Sequence, residues 1–401
     1  MALSKSEAMW FHRPRRVPPV DAHIVVGGVR IGVGVQLKNL GLILDSRWTF
    51  RAHFQNLVPR LLGVAGALSR LLPNVGGPDQ VTRRLYTGVV RSMALYGAPV
   101  WGQSLTAGVA KLLQRPQRTI AVRVIRGYRT ISFEAACVLA GTPPWVLEAE
   151  ALAADYKWRA DLRARGVARP SPGVVRARRA QSRRSVLESW SRRLADPSAG
   201  RRTVEAIRPV LVDWVNRDRG RLTFRLTQVL TGHGCFGEFL HRIGAEPTAE
   251  CHHCGCDLDT AEHTLVACPA WEGWRRVLVA KIGNDLSLPS VVASMLGDDE
   301  SWKAMLDFCE CTISQKEAAG RVRNAQARRR RAGAKGRTSP KPWPSKCFGS
   351  PSYVGLGPGE GGLRRRRASC SARVLRKSIR VMEGRLSSTH AGSDPAGYSV
   401  G

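Results

Sequence analysis

Residues 251–268 read CHHCGCDLDTAEHTLVAC, and this stretch carries the most specific pattern in the chain. Cys251 and Cys254 form a C-x-x-C pair, His263 follows after eight residues, and Cys268 follows after four more. Zn²⁺ prefers four thiolate or imidazole ligands in a tetrahedron, and short turns can bring such pairs onto one ion. We therefore predict one structural zinc ion held by Cys251, Cys254, His263 and Cys268.

Two alternatives remain open at this stretch. Cys256, His252 and His253 are close enough in sequence to replace one of the four ligands. The whole group could also be a cluster of reduced structural thiols without a metal. The ten cysteines of the 401-residue chain are too few for a dense disulfide framework, so the composition favours a reducing, intracellular compartment.

The charge of the chain indicates its class of partner. The formal net charge is +32, and arginine, which suits phosphate recognition, outnumbers lysine. Such an excess is typical of proteins that bind polyanions, usually RNA or DNA. No segment approaches the roughly 18 consecutive apolar residues that a membrane span needs. We therefore expect RNA or DNA as the partner, with no membrane and no small-molecule substrate.

The patterning predicts a mainly α fold that begins with a few short strands. Residues 1–22 are rich in Pro and Arg and predict a disordered leader. In the 23–45 region, Ile24–Val26 and Val29–Ile31 flank Gly27-Gly28, which predicts a hairpin. A third strand is expected to end at Asp45. These strands are too few for an independent sheet and are expected to be the margin of a larger one.

Helical periodicity dominates the rest of the chain. It predicts a helical domain at 46–162, an exposed, partly helical basic linker at 163–202, and a second helical region at 203–317 that contains the zinc stretch. Trp271 and Trp274 are expected to pack on the zinc module. From 318 to 401 apolar residues thin out between arginine blocks, so we predict a disordered basic tail.

One predicted helix and the residues after it carry a candidate nucleic-acid surface. Its arginines could follow a phosphate backbone while a tyrosine stacks on a base or sugar. The alternative is an ordinary solvated helix face, and the sequence does not decide between the two. The candidate residues are Arg115, Arg118, Arg123, Arg126, Tyr128 and Arg129.

No catalytic site is predicted. A nucleotide polymerase needs rigidly held carboxylates that bind Mg²⁺. The adjacent pair Asp298-Asp299 lies between two helical patterns and is better explained as a loop, and Asp45 stands alone at a strand end.

Several motifs together resemble the reverse transcriptases of non-LTR, LINE-like retrotransposons. The resemblance covers roughly residues 24–320, and its zinc region is similar to that of elements that insert into arthropod ribosomal DNA. The motifs that carry it are Val26-Gly-Gly28, Asn39-Leu-Gly-Leu-Ile-Leu-Asp45, Leu95-Tyr-Gly-Ala-Pro-Val-Trp101, Leu139-Ala-Gly-Thr-Pro-Pro144, Gln228-Val-Leu-Thr-Gly-His-Gly234, the Cys-Cys-His-Cys set and Cys268-Pro-Ala-Trp271.

This resemblance implies an origin and a function. It implies that residues 23–45 are the edge of a polymerase palm, that 46–162 resemble a thumb, and that the intact protein performs target-primed reverse transcription in the nucleus. The aromatic-Ala-Asp-Asp hairpin and the endonuclease of the family have no counterpart in this sequence. We therefore expect a nucleic-acid-binding carboxy-terminal part that is inactive alone. The alternatives are a stand-alone zinc-dependent RNA- or DNA-binding protein derived from such an element, and a polymerase completed by domains supplied in trans.

Overall fold

The computed structural model describes residues 6–12, 19–167 and 169–334. Within these ranges the fold is mainly helical with a few short strands at the start, as the sequence predicts. The predicted disorder of the far tail concerns residues 335–401, which lie outside the described residues.

Short strands form two small sheets near the amino terminus. β1 (Ala8–Met9) pairs in parallel with β3 (Val29–Gly34), which also pairs antiparallel with β2 (His23–Val26). β4 (Gln36–Asn39) and β5 (Leu42–Asp45) form a separate antiparallel hairpin. The predicted first hairpin is present, whereas the predicted third strand pairs with the additional strand β4 and not with that hairpin.

The turns of both hairpins depend on residues with positive φ. Gly27 and Gly28 have φ of 56° and 76°, as a tight two-residue hairpin turn requires. In the second hairpin Leu40 and Gly41 have φ of 46° and 83°. A positive φ is unfavourable for Leu40, because leucine has a Cβ atom. The sequence therefore did not predict this turn.

The first group of helices lies between residues 51 and 164. Asp79, Thr106 and Ser132 accept hydrogen bonds from backbone N–H groups three residues on, so each caps its helix as such residues usually do. These helices are α1 (Arg51–Arg70), α2 (Gln80–Ala94), α3 (Ala98–Trp101), α4 (Ala107–Val124), α5 (Phe133–Ala140) and α6 (Trp145–Ala164).

The second group surrounds the zinc stretch. Gly232 ends one of its helices in the left-handed conformation, at φ 70°. The helices are α7 (Pro172–Arg193), α8 (Arg201–Ile207), α9 (Leu211–Asn216), α10 (Phe224–Thr231), α11 (Gly237–Arg242), α12 (Glu272–Ile282), α13 (Leu288–Gly297) and α14 (Asp299–Ala334).

One hydrophobic core joins the two groups. Ile125 and Leu139 from the first group belong to the same buried cluster as Trp214, Phe236 and Phe308 from the second. The sequence predicted two helical regions separated by a linker, because periodicity shows that a face is apolar but not which face it meets. The two regions instead share their interior.

Three predicted boundaries differ from the structure. Part of the expected leader is ordered, because β1 pairs with β3. The expected linker contains the 22-residue helix α7, whose Leu187 and Trp190 are buried in the shared core. The expected tail begins too early, because α14 continues through residues 318–334. In each case the local composition is basic or turn-like, but a few apolar contacts or backbone hydrogen bonds suffice to hold the segment.

No helix in the described ranges is both long enough and apolar enough to cross a membrane.

Candidate metal centre and basic surfaces

The four predicted zinc ligands come together in space. The Sγ atoms of Cys251, Cys254 and Cys268 and a ring nitrogen of His263 all lie within 4.8 Å of one another. The Sγ atoms of Cys251 and Cys268 are 3.9 Å apart, and Cys254 Sγ is 3.2 Å from His263 Nε2. Three thiols and an imidazole therefore converge on one point.

This group has the size that a zinc ion requires. A tetrahedral ion with Zn–S bonds of about 2.3 Å needs sulfur atoms about 3.8 Å apart. The separation between Cys251 and Cys268 is close to that value. The residues present thus fit a tetrahedral metal ion, and three thiols with one imidazole form a donor set that favours zinc.

Backbone hydrogen bonds hold each ligand in place. Cys251 N–H donates to the carbonyl of Cys256, and Gly255 N–H donates back to Cys251 over a tight turn in which Gly255 has φ 75°. The N–H of His263 donates to Thr260 Oγ1 at 2.8 Å, and the N–H of Cys268 donates to the carbonyl of His263 at 2.7 Å. The pairs are therefore fixed by local turns, as the spacing predicts.

The rival ligands lie outside the group. Cys256 is exposed, and His252 faces Glu246 at 3.9 Å. The ring of His253 packs against Trp271 with centroids 4.8 Å apart. The structure therefore brings Cys251, Cys254, His263 and Cys268 together into a group that could hold a metal ion, and the three rivals lie outside it.

Burial disfavours free thiolates at Cys251 and Cys268. It raises the pKa of Cys251, and it raises the pKa of Cys268 to about 12. Burial also lowers the pKa of His263, which keeps its imidazole neutral. Thiolates at these positions need a compensating cation, and a bound metal ion supplies that charge when present.

A buried ion pair supports the cluster from behind. Lys316 Nζ on α14 lies 2.7 Å and 2.8 Å from the two carboxylate oxygens of Asp259, and both side chains are at most 4% exposed. Asp259 also accepts from Gly237 N–H at 2.9 Å. One carboxylate thus joins residues 251–268, which we call the metal loop, to α11 and α14. The sequence did not reveal it, because Asp259 and Lys316 are 57 positions apart.

The two tryptophans after the cluster have different environments. Trp271 is 3% exposed and packs with Cys251 and Cys268, as predicted. Trp274 is 44% exposed, and its packing on the module stays a prediction. Arg275 donates to the carbonyls of Leu265 and Cys268 and stabilises the backbone beside the cluster.

Most of the predicted nucleic-acid surface has intramolecular partners. Arg118 donates to the carbonyls of Ile131 and Arg129. Arg126 donates to the carbonyls of Asn74, Gly76 and Pro78, and Arg123 donates to Asn74 Oδ1. Together with the buried Arg83, Arg123 and Arg126 brace the loop between α1 and α2, whereas Arg118 braces the segment between α4 and α5.

The other three candidate residues have different environments. Tyr128 stacks on Phe224 with centroids 5.3 Å apart and packs against the core. Arg115 and Arg129 are exposed. The structure therefore does not present the six residues as one common surface. Spacing in sequence could not reveal that the carbonyls between α1 and α2 lie within reach.

The carboxylates singled out in the sequence have partners within the fold. Asp298 accepts from Ser301 N–H at 2.7 Å at the start of α14, and Asp299 lies 3.8 Å from Arg219. Asp45 accepts from the N–H groups of Thr49 and Phe50 in the turn before α1.

Comparison with known proteins gives relatives that share most of this sequence. The Pol polyprotein from type-1 retrotransposable element R1 4 of Nasonia vitripennis is 29% identical over 302 residues, which is 73% of this chain and 75% of the relative. A 115 kDa protein in element R1DM of Drosophila melanogaster is 28% identical over 70% of this chain and 28% of its own length. The R1 polyprotein of Bradysia coprophila is 31% identical over 63% of this chain and 26% of its own length.

The chain is thus a homologue of polyproteins from type-1 retrotransposable elements. More particularly, it is homologous to the Pol polyproteins of insect R1 elements, which confirms the resemblance found in its motifs. It spans only about a quarter of the Drosophila and Bradysia relatives. No protein-family model matches the sequence, and no solved structure matches the chain.

Proposed function

We propose that this chain binds RNA or DNA as a carboxy-terminal, non-catalytic part of the reverse-transcription apparatus of an R1-like element. The observation that carries the proposal is a net charge of +32 on a homologue of retrotransposon polyproteins. Polyanion binding is the expected role of such a charge, because each phosphate that is neutralised releases condensed counterions. An intracellular, nuclear location accords with this role.

We further propose that Cys251, Cys254, His263 and Cys268 hold one structural Zn²⁺ ion. When bound, the ion contributes folding free energy and performs no chemistry on a substrate. The four residues hold the loop between α11 and α12 in a closed turn, and Trp271 excludes water from one side. The metal module thereby fixes the end of the molecule where α12 begins.

Zinc content tests the metal assignment. Protein purified without chelator should contain one zinc per chain, and Cys251→Ser or Cys268→Ser should lower that content severalfold. Cys256→Ser is the matched control, because Cys256 is exposed and outside the group. Elemental analysis that finds no zinc, or equal loss in the control, would contradict the assignment.

A salt titration tests nucleic-acid binding. A labelled oligonucleotide should bind with an affinity that falls steeply and linearly in a plot of log K against log salt, because arginines displace counterions. Absent or salt-independent binding would refute the proposal.

A primer-extension assay tests the non-catalytic assignment. With primer, template and nucleotides, the chain alone should give no extension, and nucleotide incorporation would overturn the assignment.

A further inference from the structure

The second half of α6 and the helix α7, which lies within the predicted linker 163–202, form a basic projection. We define the basic arm as residues 154–167 and 169–186, which are the second half of α6, the connection and the first part of α7. None of the residues in these two ranges is buried. The helices are anchored at their other ends, by Trp145 and Ala153 on α6 and by Leu187 and Trp190 on α7. At the base of the arm, Val186 packs against the shared core and Arg183 donates to Asn216 Oδ1.

Side-chain contacts within the arm hold its two helices together. Arg178 lies 2.8 Å from Asp155, and Ser182 donates to the same carboxylate. The guanidinium of Arg178 also lies 5.8 Å from the ring centre of Trp158. The arm is therefore a braced pair of helices, and the α7 portion from Pro172 to Val186 is about 22 Å long at 1.5 Å per residue.

The charge of the arm is strongly one-sided. Between residues 154 and 186 the sequence has ten Lys or Arg residues and two acidic residues, Asp155 and Asp161. Asp155 is already paired with Arg178. The arm thus has a large excess of positive charge that its own carboxylates do not neutralise.

Three arginines of α7 are available for an external anion. Arg176, Arg179 and Arg184 are exposed, and in the described part of the chain none of them forms an ion pair or a side-chain hydrogen bond. Their spacing of i, i+3 and i+8 places them within roughly 140° of one side of the helix. This contrasts with Arg118, Arg123 and Arg126, whose guanidinium groups donate hydrogen bonds within the chain.

The exposed residues beside these arginines indicate how the arm recognises its ligand. Ala177 and Ala180 have no polar side-chain group with which to read a base edge, Gln181 and Ser185 are the polar exceptions, and the α7 half of the arm has no aromatic side chain for base stacking. A rigid row of guanidinium groups matches the regular phosphate ladder of a duplex, in which the charge density is high.

We propose that the basic arm binds the phosphate backbone of a nucleic-acid duplex without reading its sequence, through Arg176, Arg179 and Arg184. This inference rests on the proposed nucleic-acid binding and assigns it to a particular surface. The surface is one that the sequence interpretation treated as a linker.

The test compares two triple variants of the full chain that lose the same charge. The arm variant is R176Q/R179Q/R184Q. The control is R51Q/R60Q/R70Q, which removes three exposed arginines from α1. Binding is measured by fluorescence anisotropy at several salt concentrations, with a 20-base-pair DNA duplex, the RNA duplex of the same sequence, and the corresponding single strand.

The arm variant should bind duplex at least tenfold more weakly, and its salt slope should fall by about 3, since each phosphate contact contributes about 0.9 to the slope. The control should change the slope by less than about 1. The two duplexes reveal whether DNA or RNA is preferred, and a preference for either supports the assignment. Circular dichroism checks that both variants fold. If the triple arm variant does not fold, the single variant Arg179→Gln replaces it, and its salt slope should change by about 1.

The failures of the two proposals are distinguishable. Wild-type binding with equal losses in the arm and control variants would overturn the arm assignment and leave nucleic-acid binding intact. Tighter binding of the single strand than of either duplex would also overturn it. A wild-type chain that binds none of the three probes would refute the proposed function itself.

Discussion

At the scale of single residues, the most consequential group outside the metal cluster is Asp259. Its carboxylate is almost fully buried and is balanced by Lys316, with a further hydrogen bond from Gly237 N–H. An unpaired charge at such a depth is costly, because the protein interior cannot solvate it as water does. Asp259 and Lys316 therefore depend on each other.

We expect Lys316→Met to destabilise the protein by about 3–5 kcal/mol, because it leaves a buried carboxylate without its partner. The midpoint of urea unfolding measures this change. Lys281→Met is the control, because the Lys281–Glu300 pair is exposed and is expected to contribute no more than about 1 kcal/mol. Similar midpoints for the two variants would show that the buried pair is not an essential support.

His233 gives a residue-scale prediction about pH. Burial, followed by the charges of Arg242 and Arg118, lowers the pKa of His233 to about 4 from its ordinary value of 6.5. The folded state therefore favours the neutral ring, whose Nδ1 lies 2.9 Å from Thr130 Oγ1. The stability contribution is fully present above pH 6.5 and is lost as the pH falls from 6.5 towards 4. Unfolding midpoints of His233→Asn should depend less on pH across this window than those of the wild type, and parallel pH profiles would refute the idea.

At the scale of elements, close backbone contacts position the metal loop. A Cβ atom at Gly237, the first residue of α11, would lie 2.4 Å from the carbonyl oxygen of Ala249 and 2.7 Å from that of Glu250. Cys251 directly follows Glu250, so this contact sets where the metal loop starts. The glycine is required by the close approach of two backbones.

A pair of glycine substitutions tests this contact. Gly237→Ala should destabilise the fold by about 1–3 kcal/mol, because the loop must shift to accept the methyl group. Gly273→Ala on α12 meets no atom within 4 Å and should stabilise by up to about 1 kcal/mol through helix propensity. Thermal unfolding measures both changes, and shifts of the same sign would contradict the packing argument.

At the scale of the whole molecule, the shared core makes the two helical regions interdependent. Buried Val124 and Leu139 contribute to the same cluster as Leu226 and Met305. Removing the second region would expose the apolar faces of α4 and α5 to water. Regions that share a core in this way are expected to unfold together.

We therefore expect a chain shortened to residues 1–202 not to fold independently. It should bind a hydrophobic dye strongly and unfold without a cooperative transition, because the faces of α4 and α5 lack partners. Dye fluorescence and urea titration, each beside the full chain, give the comparison. Cooperative unfolding of the shortened chain would show that the first region is a separate domain.

The sequence by itself determined the features that depend on neighbours along the chain. The caps at Asp79, Thr106 and Ser132, the Gly27-Gly28 turn and the choice of Cys251, Cys254, His263 and Cys268 follow from local spacing and hydrogen bonding. Only the tertiary structure decided the shared core, the Asp259–Lys316 pair and which arginines are available. Arg118 and Arg126 look like Arg176 and Arg179 in sequence. They differ because carbonyl groups of the segment after α4 lie within hydrogen-bonding distance of Arg118, and those of the distant loop between α1 and α2 lie within reach of Arg126. No helical periodicity encodes that proximity.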